Sequence, residues 1–74
     1  MGLSQDKLAL NGWLKNGAMI IDAAPRVVLA RWSRGLQFEF VTWYMDAEGN
    51  TYSGHYFTNI KDAAIDFEER RKNP

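Results

Sequence analysis

Apolar positions along this chain follow helical spacing near each end and alternation in between. Residues 4–16, "SQDKLALNGWLKN", predict a helix. Ser4 is a suitable N-cap, Leu3 and Leu8 fit the two positions of a hydrophobic staple, and Asp6 lies in the first turn. Leu10, Trp13 and Leu14 form its apolar stripe, and Gly17 supplies a left-handed terminator. Gly12 weakens this helix by about 1 kcal/mol relative to Ala. A second helix begins at Asn59, which caps with Asp62 three residues on. Ile60, Ala63, Ala64 and Phe67 follow the i, i+3, i+4, i+7 spacing, and Arg70, Arg71 and Lys72 complement the C-terminal dipole. Asp66 with Arg70 and Glu68 with Lys72 are i, i+4 pairs, and "EERRK" reads as a solvated helix end rather than a nucleic-acid patch.

Three turn signals, "AAPR" at 23–26, "SRG" at 33–35 and "AEG" at 47–49, divide the middle into four strands. These cover about 18–23, 26–32, 36–46 and 50–57. Their short connections favour an antiparallel meander, because a parallel crossover needs a dozen residues or more. The prediction is a single α+β domain over residues 1–74, in the order α-β-β-β-β-α, with both helices on one face of the sheet.

Register follows from matching apolar positions. A three-residue loop at Ser33-Arg34-Gly35 pairs Trp32 with Leu36, Ala30 with Phe38 and Val28 with Phe40. A turn at Ala24-Pro25 pairs Ile21 with Val28 and Met19 with Ala30. Across "DAEGN", Tyr44 meets Tyr52, Thr42 meets Gly54 and Phe40 meets Tyr56. One face then gathers Met19, Ile21, Val28, Ala30, Trp32, Leu36, Phe38, Phe40, Tyr44, Tyr52 and Tyr56 as the core.

The other face gathers Ile20, Val27, Leu29, Val41, Trp43, Met45, His55 and Phe57, with Arg31, Gln37 and Glu39 towards the Arg34 turn. In "LQFEFVTWYMD", residues 36–46, the alternation stops after Phe40 and large apolar side chains stand on both faces. Four strands make a sheet roughly 19 Å wide, which two helices of about 10 Å cover on one side only. The second face is therefore predicted to meet a partner. Trp43, Met45, Val41, Leu29, Val27 and Phe57 are its anchors, and Arg31, Glu39 and His55 its rim. On this expectation Trp43→Ala weakens binding and leaves the fold intact. The alternative arrangement puts one helix on each face.

Composition narrows the chemistry. The absence of Cys excludes a disulfide framework and thiolate metal sites, and fits a reducing cytoplasm. No apolar run reaches the ~18 to 20 residues of a membrane span, and the first residues lack a signal-peptide pattern. Nine basic and nine acidic residues cancel. Residues 1–35 hold five Lys or Arg against two acids (+3), and residues 36–74 hold four against seven (−3). Three Trp in 74 residues suit a binding surface as well as a small core.

His55 is the one residue with an ordinary pKa near neutrality, and Glu39 lies diagonal to it in the expected register. A His on a sheet face is more often a hydrogen-bonding residue than a catalyst. "DAEGN" lacks the spacing and terminal Glu of a calcium loop, and no Gly precedes a Lys-Ser/Thr pair as in a phosphate loop. No cofactor or metal is expected. Single-stranded nucleic acid could stack on Trp43, His55 and Phe57 beside Arg31 and Arg26, but zero net charge and Glu39 count against it.

The helix-sheet-helix order resembles the double-stranded-RNA-binding domain. That domain opens its second helix with a lysine cluster, whereas "NIKDAAIDFEERRK" has Lys61 followed by Asp62. Its function is not carried over. In size and style, with "FVTWYMD" and "GHYFTNIKDAA", the chain also resembles small accessory proteins of phages and mobile elements, including anti-CRISPR and other anti-defence inhibitors. That resemblance implies a non-enzymatic protein acting by occupying a surface of a larger protein, and it assigns no residue a role. The expectation is thus a cytoplasmic protein-interaction module, a homodimer or an inhibitor or adaptor, with single-stranded nucleic-acid binding as the alternative.

Overall fold

A computed structural model describes residues 12–73, leaving aside the side chain of Arg34. Four strands, β1 (Met19–Ala24), β2 (Val27–Arg34), β3 (Gln37–Met45) and β4 (Thr51–Phe57), precede one helix, α1 (Ile60–Lys72). The strands form one antiparallel sheet in the order β1-β2-β3-β4, the meander that short connections dictate. Among the described residues no helix is long and apolar enough to cross a membrane.

Of the expected N-terminal helix, residues 4–11 lie outside the described residues, and residues 12–16 are not helical. The chain reverses there instead. The Leu14 amide donates to the Ala18 carbonyl and the Gly17 amide to the Leu14 carbonyl, both at 2.9 Å, while Trp13 bridges Met19. Asn16 and Gly17 are turn formers; the Asn16 side chain accepts from the Ala18 amide at 2.9 Å, and Gly17 sits at φ +93°. Local turn chemistry here overrides a helical spacing that Gly12 had already weakened. The Ile20 amide also donates to the Gly12 carbonyl at 3.0 Å, so this segment lines the start of β1.

The central hairpin turns at Gly35 and Leu36, with Arg34 facing Gln37, and not over three residues. Gly35 has φ +65° and Leu36 is not in the left-handed region, the pattern of a two-residue turn with Gly first. Val28 therefore faces Trp43, Ala30 faces Val41 and Trp32 faces Glu39. The first hairpin turns at Pro25 and Arg26 rather than Ala24 and Pro25, with Ala24 facing Val27. In β1 Ile21 is an extra, unpaired residue between Ile20 and Asp22. The third hairpin follows the expectation where it starts, with Tyr44 facing Tyr52. Ser53 and Gly54 then bulge opposite Trp43, so that Thr42 faces His55 and Phe40 faces Phe57.

Both faces of the sheet are covered. On one, Val27 and Leu29 pack with Ala63 and Phe67 of α1, flanked by Ala24, Phe40, Tyr44 and Phe57. On the other, Val28, Ala30, Val41, Trp43 and Met45 pack with Leu14 and Ala18 of the N-terminal turn. The single-face core is corrected accordingly. Val28 and Ala30 lie under the N-terminal turn, Phe40 and Tyr44 under α1, while Ile21, Leu36, Phe38, Tyr52 and Tyr56 are exposed.

The helix itself keeps its predicted cap. The Asn59 side chain accepts from the Asp62 amide at 2.8 Å. Its buried stripe is Ala63, Phe67 and Arg70, whereas Ile60 is exposed. A cation thus occupies the third stripe position and must find partners beneath the helix.

Candidate functional site

The nine residues predicted to share an open face are divided between the two covered ones. Val41, Trp43 and Met45 belong to the cluster under the N-terminal turn, with Trp43 only 4% exposed, and Glu39 lies half-buried beside Trp32 on that face. Val27 and Leu29 are buried under α1, with Phe57 half-buried at its edge. Arg31 is half-buried and His55 exposed, both on the helix face. The buried five are core, and they offer no surface to a partner. The reason is the second cover: two helices would span one face of a sheet this wide, and here a short reversed segment covers the other.

The Trp43 indole shows how tightly that side is filled. It stacks at 5.1 Å from Trp32 and meets Tyr56 edge-on at 6.3 Å. It also occupies the space above Gly54, where a Cβ would stand 2.6 Å from Nε1.

A polar cluster that sequence reasoning missed joins β3, β4 and α1. Asp66 Oδ2 accepts from the Thr42 hydroxyl at 2.5 Å and lies 3.0 Å from His55 Nδ1 and 3.5 Å from Arg70 Nε. Arg70 Nη2 lies 2.7 Å from His55 Nε2, and its guanidinium stacks 4.4 Å over the Tyr44 ring. One assignment satisfies all of it: a neutral His55 with its proton on Nδ1 donates to Asp66 and accepts from Arg70 at Nε2. Burial acts to raise the Asp66 pKa, but the hydrogen bonds from Thr42 and His55 and the nearby positive charge outweigh it and hold the carboxyl below its ordinary value.

Chemically the cluster is a clamp. A base that activates a hydroxyl must face it, and His55 Nε2 faces a guanidinium while the Thr42 hydroxyl is committed to Asp66. Glu39, which the expected register sets diagonal to His55, is on the other face of the sheet. The missed signal is Arg70 in line with Ala63 and Phe67, a cation on a buried stripe with Asp66 one turn before it.

Exposed apolar surface gathers elsewhere, where α1 ends its cover of the helix face. Trp13 is 66% exposed and Phe38 47%, and Leu36 at the hairpin tip is fully exposed. Between the two aromatics runs a row set by pairing: Trp13 bridges Met19, and Met19 faces Arg31. The Arg31 guanidinium lies 4.2 Å over the Phe38 ring, and Phe38 meets Phe40 edge-on at 5.6 Å. Of the nine predicted residues only Arg31 belongs to this strip.

No family model matches this chain, and no curated protein or solved structure matches it either.

Proposed function

We propose that this chain is a non-enzymatic protein-interaction module that meets its partner through the strip Trp13, Met19, Arg31 and Phe38, with Leu36 beside it. The observation that supports this reading is the pairing of two exposed aromatics, Phe38 on β3 and Trp13 bridged to β1, with an arginine stacked on Phe38. Trp and Arg are the side chains that most often dominate binding energy, and an aromatic or Arg placed on regular structure loses little entropy on docking. The arrangement replaces the open face built on Trp43: the same function is carried by a different set of residues.

The test compares the wild type with a Trp13→Ala/Phe38→Ala double variant by light scattering and by affinity capture from lysate. Trp13 is 66% exposed, Phe38 47%, and neither belongs to a core cluster, so the variant keeps its circular dichroism spectrum and unfolding midpoint. It loses self-association or captured protein that the wild type shows, by about 2 kcal/mol or more in affinity. Unchanged association in the variant removes the reading.

A second reading, single-stranded nucleic-acid binding, draws on the same stacking side chains. Affinity for an oligonucleotide that falls steeply with salt favours it, because phosphate contacts release counterions. An apolar protein interface responds weakly to salt, and the zero net charge of the chain accords with that outcome.

A further inference from the structure

Within the strip, Trp13, Gly17, Met19, Arg31 and Ser33 line a small pocket of about 130 Å³. Among the described residues Arg31 is its one charged lining residue, and no described carboxylate lines it. Its Nε is buried and has no hydrogen-bond partner. The guanidinium is held by stacking on Phe38, which fixes its plane without using its N–H groups. Buried arginine N–H groups are seldom left without an acceptor, since the desolvation cost goes uncompensated.

We infer that this pocket receives a carboxylate side chain, Asp or Glu, from the partner protein, a step that rests on the reading of the strip as the interaction surface. With Nε closed off, the guanidinium's two terminal nitrogens are the edge that would meet a carboxylate in two parallel hydrogen bonds. The Ser33 hydroxyl is an additional donor at the rim. Trp13 and Met19 supply apolar walls for the methylene stem of the incoming side chain. Volume sets the size of the guest: at about 30 Å³ per water-sized group the pocket holds about four, enough for an acidic side chain and too few for a nucleotide base with its sugar. A single guanidinium also balances the one charge of a carboxylate better than the near-double charge of a phosphate monoester.

The experiment uses the full chain and a minimal probe, N-acetyl-glutamate α-methylamide, with the corresponding glutamine compound as the neutral isostere. Binding is followed by NMR at the Arg31 Nε–H and Trp13 indole N–H resonances. The expected result is a saturable shift of both with the carboxylate, at least about tenfold weaker with the amide, and lost in Arg31→Gln. Equal responses to the two compounds, or none to either, overturn the inference. Should Arg31→Gln fail to fold, the comparison of carboxylate with amide on the wild type decides alone. The two proposals fail separately. If the probe has no effect while Trp13→Ala/Phe38→Ala still abolishes association, the acceptor chemistry falls and the interaction surface stands. A carboxylate response with unchanged association in that variant keeps the pocket as an anion site and removes the wider strip.

Discussion

Gly54 is the position at which a single missing side chain decides the packing of one whole face. Its need is for space: a Cβ there would lie 2.6 Å from Trp43 Nε1 and 3.0 Å from Cδ1. The indole cannot retreat, because Trp32, Tyr56 and the N-terminal turn hold it. Gly54→Ala is therefore expected to destabilise the fold by about 1 to 3 kcal/mol, the range of an overpacked core. Urea unfolding followed by tryptophan fluorescence checks this, as a lower midpoint at unchanged slope. A glycine inside a strand pattern does signal a bulge or a close approach, and "YSGHY" carries that mark. Which neighbour approaches it depends on register, and there the composition of the strand says nothing.

At the scale of elements, α1 is held to the sheet by two unlike contacts, the apolar pair Ala63 and Phe67 and the polar clamp around Asp66. The clamp makes stability depend on pH with a definite sign. Asp66 titrates below its ordinary value of 3.8 because burial, which opposes this, is outweighed by Thr42, His55 and Arg70. Asp46 does likewise, through hydrogen bonds from the backbone and side chain of Asn50. A carboxyl with a depressed pKa adds stability that is fully present above its unfolded value and is lost as pH falls through the folded one. The stability these two carboxyls add should then be fully present above about 4 and decline below it. Asp66→Asn should be less stable at pH 7, by roughly 1 to 3 kcal/mol, because Arg70 at 7% exposure loses its nearest anion. It should also decline less steeply in acid, which urea titrations of both proteins between pH 7 and 3 measure.

How much of each element was legible follows from how local its cause is. The Asn59 cap, the C-terminal helix and the start of the "DAEGN" hairpin, where Tyr44 meets Tyr52, depend on residues a few positions apart and stand as read; beyond Tyr52 the bulge shifts the hairpin's register. The strands exist close to where alternation and turn signals put them. Their pairing does not, since matching register to one apolar and one polar face presumes a single cover. With both faces covered that criterion selects the wrong loop: the observed pairing of Trp32 with Glu39 and Arg31 with Phe40 mixes polar and apolar side chains, yet buries Val27 to Ala30 without a break. A continuous apolar run, "VVLA", was the sign of a strand buried on both sides. The expected open face is divided between the two covered ones for the same reason, and of its residues only Arg31 lies in the exposed strip.

For the molecule as a whole, two thin cores share one sheet, one beneath a helix and one beneath a reversed segment of seven residues, 12–18. Trp43 is the largest side chain in the second. Its truncation to Ala should cost about 3 to 5 kcal/mol. That is a large part of the 5 to 15 kcal/mol available to a small domain, so Trp43→Ala is expected to lose its cooperative thermal transition. A variant that melts as sharply and as high as the wild type would place the indole outside the core. The strip at Trp13 and Phe38 belongs to neither core, which is why its truncation and that of Trp43 have opposite signatures.

The irregular residues of the sheet fall on its two margins, Ile21 in β1 and the Ser53-Gly54 pair in β4, the latter with Ser53 at φ +56°. A main chain kinked at both borders is a poor template for another extended peptide to zip onto. Ribbon-like polymerisation is discouraged from either side, and recognition is left to what projects from the surface.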